Sequence, residues 1–172
     1  MIKKELQQEE FHEYYLRYID KLSDETELIS GFINGKSEVI SFFKSIPEEK
    51  LEYRYQPEKW TVKEVFQHLI DTERIFMYRC FRIARNDKTN IEGFEQDDYV
   101  IPSEANTKSI ENLLEEFKIN RENSIMMLKS ISEKNLSFVG ASNGGVMSAR
   151  SAAFTILGHD IHHTEVIKER YL

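Results

Sequence analysis

The sequence has one cysteine, three prolines and seven glycines, and these shortages exclude some classes of protein. Because Cys80 stands alone, no intrachain disulfide can form, and a domain held together by disulfides is excluded. No run of about 20 apolar residues is present, so we expect no membrane-spanning helix. No apolar run follows the two lysines near the start, so we expect no secretory signal and a cytoplasmic protein.

The chain also lacks a surplus of positive charge. It has 23 Lys and Arg residues against 30 Asp and Glu residues, for a formal net charge of -7. Affinity for nucleic acids comes mainly from clustered Lys and Arg, so we expect neither a nucleic acid nor a membrane as partner. A chain of 172 residues with 40% hydrophobic residues is typical of one folded core, and we predict a single domain over residues 1–172.

Apolar residues recur at intervals of three and four along most of the chain, and no segment alternates long enough to predict a sheet. The predicted fold class is therefore all-α. Four long helices are predicted, at about Glu25 to Lys44, Thr61 to Ala84, Ser109 to Ile131 and from Ser148 to the C-terminus. The connections between them are long, which predicts a four-helix bundle with at least one linker that crosses over or packs outside.

Local signals specify two helix starts and one turn. Thr61 and Glu64 form a T-x-x-E capping box at the start of the second helix, and Ser148 is the predicted cap of the fourth. Between the third and fourth helices, Asn143-Gly144-Gly145 has the composition of a tight hairpin turn. The third helix has a polar interruption at Asn120, Arg121 and Ser124, which predicts either a cavity or a solvated surface at that level.

Two histidines on the fourth helix have the spacing of a chelating pair. His159 and His163 lie four residues apart, so their rings project from the same face of the helix. His163 falls on the apolar stripe of that helix and His159 at its edge. Two packed core histidines would have the same pattern, so spacing alone leaves both interpretations open. His12 and His162 are predicted not to be ligands.

A third histidine makes a metal site the stronger hypothesis. His68 flanks the apolar stripe of the second helix, from where it can reach a cleft between helices. Three imidazoles would leave a coordination position for water or substrate, as a catalytic site requires. Ligating imidazoles are usually oriented by carboxylates, and the candidates are Asp160, Asp71 and Glu64. No sequence motif supports covalent catalysis by a protein nucleophile.

Several of these residues fall into motifs that resemble the DinB/YfiT-like family of metal-dependent enzymes. The resemblance covers nearly the whole chain, with the motifs in the order in which the family has them. They are Lys59 to Val65, His68-Leu69, Asp71 to Arg74, Gly93-Phe94 to Tyr99, and Gly158 to His163. One departure is Asp160, which stands where the family often has a glutamate.

The resemblance implies a four-helix bundle that holds a divalent ion with His68, His159 and His163. It implies zinc or nickel first, with manganese or iron as alternatives, and frequently a homodimer. Characterised relatives include S-transferases that use bacillithiol or another low-molecular-weight thiol. Our first hypothesis is therefore a thiol S-transferase acting on a small-molecule substrate, in which Arg79, Arg121 or Arg150 could hold an anionic thiol. A metal-dependent hydrolase, or a non-catalytic stress-response protein with a structural metal, remain alternatives.

Overall fold

The computed structural model describes residues 1–172 and is built from helices and one short hairpin. The α-helices are α1 Leu16–Ile19, α2 Leu28–Ser45, α3 Val62–Ala84, α4 Asp97–Val100, α5 Ile110–Lys129, α6 Glu133–Leu136 and α7 Ala149–Arg170. The strands β1 Val139–Ser142 and β2 Gly145–Ser148 pair antiparallel. Short 3-10 helices lie at Lys3–Glu5, Gln8–Glu10, Glu13–Tyr15, Glu48–Lys50 and Ala105–Thr107. None of the helices combines the length and apolar character needed to cross a bilayer.

The four long helices α2, α3, α5 and α7 form the predicted bundle. Helix α3 packs against α5 and α7, and α2 packs against the same two helices. Consequently α2 and α3 occupy opposite corners, as do α5 and α7. Two of the three connections between consecutive long helices therefore run between opposite corners, and the prediction of a linker that crosses the bundle is confirmed.

The local signals in the sequence account for where the helices begin. The Thr61 side chain accepts a hydrogen bond from the Glu64 backbone N–H, and the Glu64 carboxylate accepts one from the Thr61 N–H. Ser148 caps α7 as predicted. Helix α2 begins later than predicted, at Leu28, because the Glu27 carboxylate accepts hydrogen bonds from two backbone N–H groups of its first turn. The predicted hairpin is also present, with Asn143 and Gly144 at positive φ in its turn.

The apolar core has two halves, with a polar layer between them. On α3, Phe76 belongs to one half and Ile70 to the other, and on α5 the corresponding residues are Ile125 and Phe117. Between the two residues of each pair lies a buried polar residue, Glu73 on α3 and Arg121 on α5. On α7, Asp160 is buried in the same way. These three side chains form the polar layer.

Arg121 is the centre of the polar layer. Its Nε donates to Glu73 at 2.9 Å, and its Nη2 donates to Asp160 at 2.6 Å. The guanidinium also lies 4.9 Å from the ring centres of both Phe32 and Phe117. The sequence predicted that the polar interruption in the third helix faces a cavity or solvent, and the structure shows neither. Arg121 instead forms a buried ion pair that joins three helices.

The linkers and the N-terminal segment cover one side of the bundle. Helix α1 packs on α7, and the hairpin packs on α3 and α7. Phe11 forms an isolated bridge with Met147 of β2, and Ile91 forms one with Ser142 of β1. This side of the molecule is thus built from three segments that are distant in sequence, and it encloses the site described next.

Candidate metal centre

The three predicted ligands lie together. His68 is in the second turn of α3, and His159 and His163 are one turn apart on α7, the helix that packs most extensively on α3. His68 and His159 are buried and His163 is half-buried, with one ring nitrogen of each within 4.8 Å of the others. The helical spacing places the pair on α7, and the packing of the two helices supplies the third ring.

The nitrogens that converge are the Nε2 atoms. His159 Nε2 lies 3.0 Å from His68 Nε2 and 3.1 Å from His163 Nε2. With metal–nitrogen bonds of 2.0–2.1 Å, two ligand nitrogens are separated by about 2.9 Å at a right angle and about 3.3 Å at a tetrahedral angle. Both observed separations fall in this interval, and the nitrogens of His68 and His163 lie within 4.8 Å of each other, so the three imidazoles are close enough to share one ion.

Hydrogen bonding among the rings does not account for this geometry equally well. A neutral imidazole nitrogen carries either one hydrogen or one lone pair, so it makes one hydrogen bond in the plane of its ring. His159 Nε2 faces two nitrogens and can satisfy only one of them. A divalent ion between the rings would instead accept a lone pair from each of the three nitrogens.

Burial keeps these rings in the form that binds metal. Removal from water lowers the pKa of His68 from its usual value to about 4. Burial, reinforced by the neighbouring imidazoles, lowers the pKa of His159 and of His163 well below 6.5. All three rings are therefore neutral at pH 7, and their lone pairs are available without the loss of a proton.

Aromatic rings and one hydroxyl surround the three histidines. The ring centres of Trp60 and His68 are 4.8 Å apart, and those of Tyr18 and His159 are 5.1 Å apart. Thr72 Oγ1 lies 3.4 Å from His68 Nδ1, so this ring can donate from Nδ1 and keep its Nε2 lone pair for a metal. The place of Tyr18 was not predictable from the sequence, because it depends on how the N-terminal segment folds against α7.

The three predicted orienting carboxylates have other partners. Asp160 accepts from Arg121, Glu64 accepts from the Thr61 backbone and from Asn106, and Asp71 accepts from Gln67 and Arg74. None of them hydrogen-bonds to a ring nitrogen of the three histidines. No direct hydrogen bond therefore supports the prediction that they orient the rings. Asp160, next to His159, fixes the rotation of α7 through its ion pair with Arg121.

A cavity of about 550 Å³ opens beside the histidines, and its volume is in the range of small-molecule sites. His159 is part of its wall. The other lining residues come from the N-terminal segment, α3, the α3–α5 linker, the hairpin and α7 and include Tyr15, Tyr18, Thr72, Phe76, Arg79, Phe94, Ser142 and Thr155. A ligand at the His159 end of this cavity would lie against a ring of the histidine cluster.

The three arginines that the sequence singled out have different surroundings. Arg121 forms the buried ion pair of the polar layer, and Arg150 pairs with Glu10. Arg79 lines the cavity without forming an ion pair. The lone cysteine, Cys80, is buried in the core, and burial raises the pKa of its thiol to about 12, which keeps it protonated.

Comparisons with known proteins agree with the fold. The structure of YfiT from Bacillus subtilis, described as a probable metal-dependent hydrolase with an unusual four-helix bundle topology, superposes with a TM-score of 0.73. It is 14% identical in sequence, and the match covers 83% of this chain and 82% of that one. No curated protein matches the chain significantly. The family model of the DinB superfamily matches residues 34–167, and this chain belongs to the DinB superfamily.

Proposed function

We propose that this protein is a metal-dependent enzyme whose divalent ion is held by His68, His159 and His163. The observation that carries the proposal is the convergence of three neutral Nε2 atoms at separations of 3.0 and 3.1 Å beside a cavity. Imidazole ligands suit zinc and nickel, and they also suit iron. We propose zinc or nickel as the ion, with manganese or iron as alternatives.

A divalent ion bound there would lower the pKa of a thiol or a water molecule, so that the conjugate base forms near neutral pH. The protein's own part is to bind and orient. His159 is the ring of the cluster that lines the cavity, and the aromatic rings of Trp60 and Tyr18 beside His68 and His159 limit the access of bulk water. A non-catalytic role with a structural metal would need a closed site, and the cavity beside His159 favours the enzyme.

For the reaction, our first proposal is the transfer of a low-molecular-weight thiol, of the bacillithiol type, to an electrophilic small molecule. The family resemblance of the motifs supports it, and the cavity has room for a substrate next to the histidines. The second candidate is hydrolysis, which the description of YfiT as a probable metal-dependent hydrolase favours. Both reactions would use the same three metal ligands, so an assay with substrates of each kind is needed to distinguish the two reactions.

The family resemblance also supports a homodimer in the cytoplasm, and we include both in the proposal. Size-exclusion chromatography with light scattering measures the mass of the assembly directly. A mass twice that of the chain is the expected result, and the mass of one chain would contradict this part of the proposal.

The test of function is an assay of the purified protein loaded in turn with zinc, nickel, manganese or iron. Conjugation of an electrophile with several low-molecular-weight thiols is measured beside hydrolysis of ester and amide substrates. His159→Ala should abolish turnover and metal retention. His162→Ala is the matched control, because this neighbouring ring on α7 is outside the cluster, and it should retain both. Turnover without metal, or full activity of His159→Ala, would contradict the proposal.

A further inference from the structure

Arg79 is a buried cation without a buried anion. It lies on α3 and is only 2% exposed, yet no carboxylate pairs with it. Its nearest polar neighbours are uncharged: Nη2 donates to the Glu92 carbonyl at a long 3.4 Å, and the Tyr15 hydroxyl lies beside it. Arg121, which is equally buried, and Arg150, which is half-buried, are both neutralised by acidic partners.

Two donors at this place have no partner within the protein. The Nε of Arg79 and the Oγ of Ser142 are both buried without a hydrogen bond, and both residues line the cavity beside His159. Ser142 belongs to β1 and is 4% exposed, so the two donors come from different parts of the chain. Buried polar groups in folded proteins nearly always have partners, and an exception at a cavity wall marks a place where a bound molecule can supply the missing partner.

The energetics of burial give the same indication. A charged group in the protein interior costs free energy unless an opposite charge pairs with it, so a buried guanidinium is expected to meet an anion. The rings of Phe76 and Phe94 lie 4.8 and 5.8 Å from the Arg79 guanidinium carbon and offset part of this cost through cation–π contact. They also hold the guanidinium in place. Neither ring can accept a hydrogen bond from Nε in the plane of the guanidinium.

The position of Arg79 relates it to the histidines. His68, Thr72, Phe76 and Arg79 follow each other at helical intervals of four and three, so they form one stripe along α3. Thr72, Phe76 and Arg79 line the cavity, and His159 closes it at the histidine end. One molecule in the cavity can therefore contact the guanidinium at one end and the histidine cluster at the other.

We propose that Arg79 and Ser142 form a carboxylate-binding subsite, and that the substrate is a small organic acid whose reacting group lies at the histidines. The placement of the reacting group rests on the proposed function, whereas the binding of the carboxylate does not. A carboxylate accepts two parallel hydrogen bonds from a guanidinium and can take a further one from a serine hydroxyl. The acidic group at the cavity wall, Glu95, is exposed, so solvent screens its repulsion of an anion.

The test is a nuclear magnetic resonance titration of the full chain with benzoate, its neutral analogue benzamide and inorganic phosphate, at constant ionic strength. Benzoate should shift the backbone amide signals of Ser142 and Gly145, in both metal-free and zinc-loaded protein. Arg79→Gln should weaken benzoate binding about tenfold or more, because a hydrogen-bonded charge is lost. Arg74→Gln is the matched control, an exposed arginine on the same helix, and should leave benzoate binding unchanged.

A further variant and a metal-free control keep the result unambiguous. Ser142→Ala should weaken benzoate binding several-fold and tests the subsite even if Arg79→Gln fails to fold. Benzoate binding should persist after a chelator has removed the metal, so that loss of the metal and loss of the subsite are separate results. Equal binding of benzoate and benzamide, unchanged affinity in Arg79→Gln, or binding of phosphate without benzoate would each overturn the proposal.

Discussion

The imidazoles of His68, His159 and His163 are held neutral by their surroundings. Burial is the first cause for each, and it lowers the pKa of His68 to about 4 and the pKa of the other two well below 6.5. The cluster is therefore ready to bind a cation and resists protonation. The same property makes the metal-free protein sensitive to acid, because unfolding exposes the rings to water.

The first prediction concerns stability in acid. Below pH 6.5 the unfolded chain binds protons on these histidines that the folded protein does not, so the free energy of unfolding falls as the pH falls toward 4. Each histidine contributes a slope of up to about 1.4 kcal/mol per pH unit in this window. Urea unfolding of the metal-free protein at pH 7, 6, 5 and 4.5 measures the slope.

His68→Gln should have a shallower slope than the wild type, since one of the neutral rings is gone. His12→Gln removes an exposed histidine outside the cluster and should retain the wild-type slope. A free energy of unfolding that is constant from pH 6.5 to 4.5, or that rises as the pH falls, would contradict this account of the cluster.

At this scale the sequence predicted the ligand candidates better than their surroundings. His159 and His163 were found from spacing, because residues four apart on a helix must share a face. His68 needed the family resemblance, since its proximity depends on how α3 packs on α7. The ion pair of Asp160 was not predictable, because its partner, Arg121, is 39 residues away and spacing carries no information about such a contact.

At the scale of elements, Gly158 in α7 permits a close approach. A Cβ atom built on Gly158 would lie 2.0 Å from the carbonyl oxygen of Tyr18, so no side chain fits there. This approach lets α1 pack on α7 and sets the Tyr18 ring 5.1 Å from the His159 ring. The glycine therefore places one wall of the histidine site.

The second prediction is that Gly158→Ala destabilises the protein by about 1–3 kcal/mol, because α1 must move away from α7. Alanine is more favourable than glycine within a helix by about 1 kcal/mol, so the cost of the clash must exceed this gain. Gly145→Ala is the control, since its added Cβ would meet nothing closer than 3.4 Å. Urea unfolding measures both. A Gly158→Ala variant as stable as the wild type would show that the approach is not tight in solution.

The long helices and the hairpin were predictable because their signals are local. Thr61 with Glu64, Ser148, and the Asn143-Gly144 turn act through residues next to them, and all of them occur where expected. The linkers were not predictable in the same way. They carry no strong periodicity, and the isolated bridge from Ile91 to Ser142 joins segments about 50 residues apart.

At the scale of the whole molecule, the polar layer divides the core and joins three of the four long helices. Arg121 is fully buried, and its two acidic partners lie on α3 and α7, which are also the helices that carry the histidines. The ion pairs therefore fix the relative rotation of those two helices. The order of the helices around the bundle was not predictable, because the apolar stripes fit more than one arrangement.

The third prediction follows from this layer. Arg121→Ala leaves the carboxylates of Glu73 and Asp160 buried without their cation, which should cost about 3–5 kcal/mol of unfolding free energy. Lys118→Ala on the same helix removes an exposed ion pair and should change stability by less than about 1 kcal/mol. Denaturant unfolding at pH 7 compares them. Equal stability of the two variants would contradict a structural role for the layer.

We propose that the Nε2 atoms of His68, His159 and His163 bind one divalent ion. The decisive measurement is anomalous diffraction above the zinc absorption edge, from crystals of the zinc-loaded protein. We predict one strong peak between α3 and α7, at about 2.1 Å from Nε2 of His68, His159 and His163. A peak at another place only, or no peak between these three rings at full zinc loading, would contradict the claim.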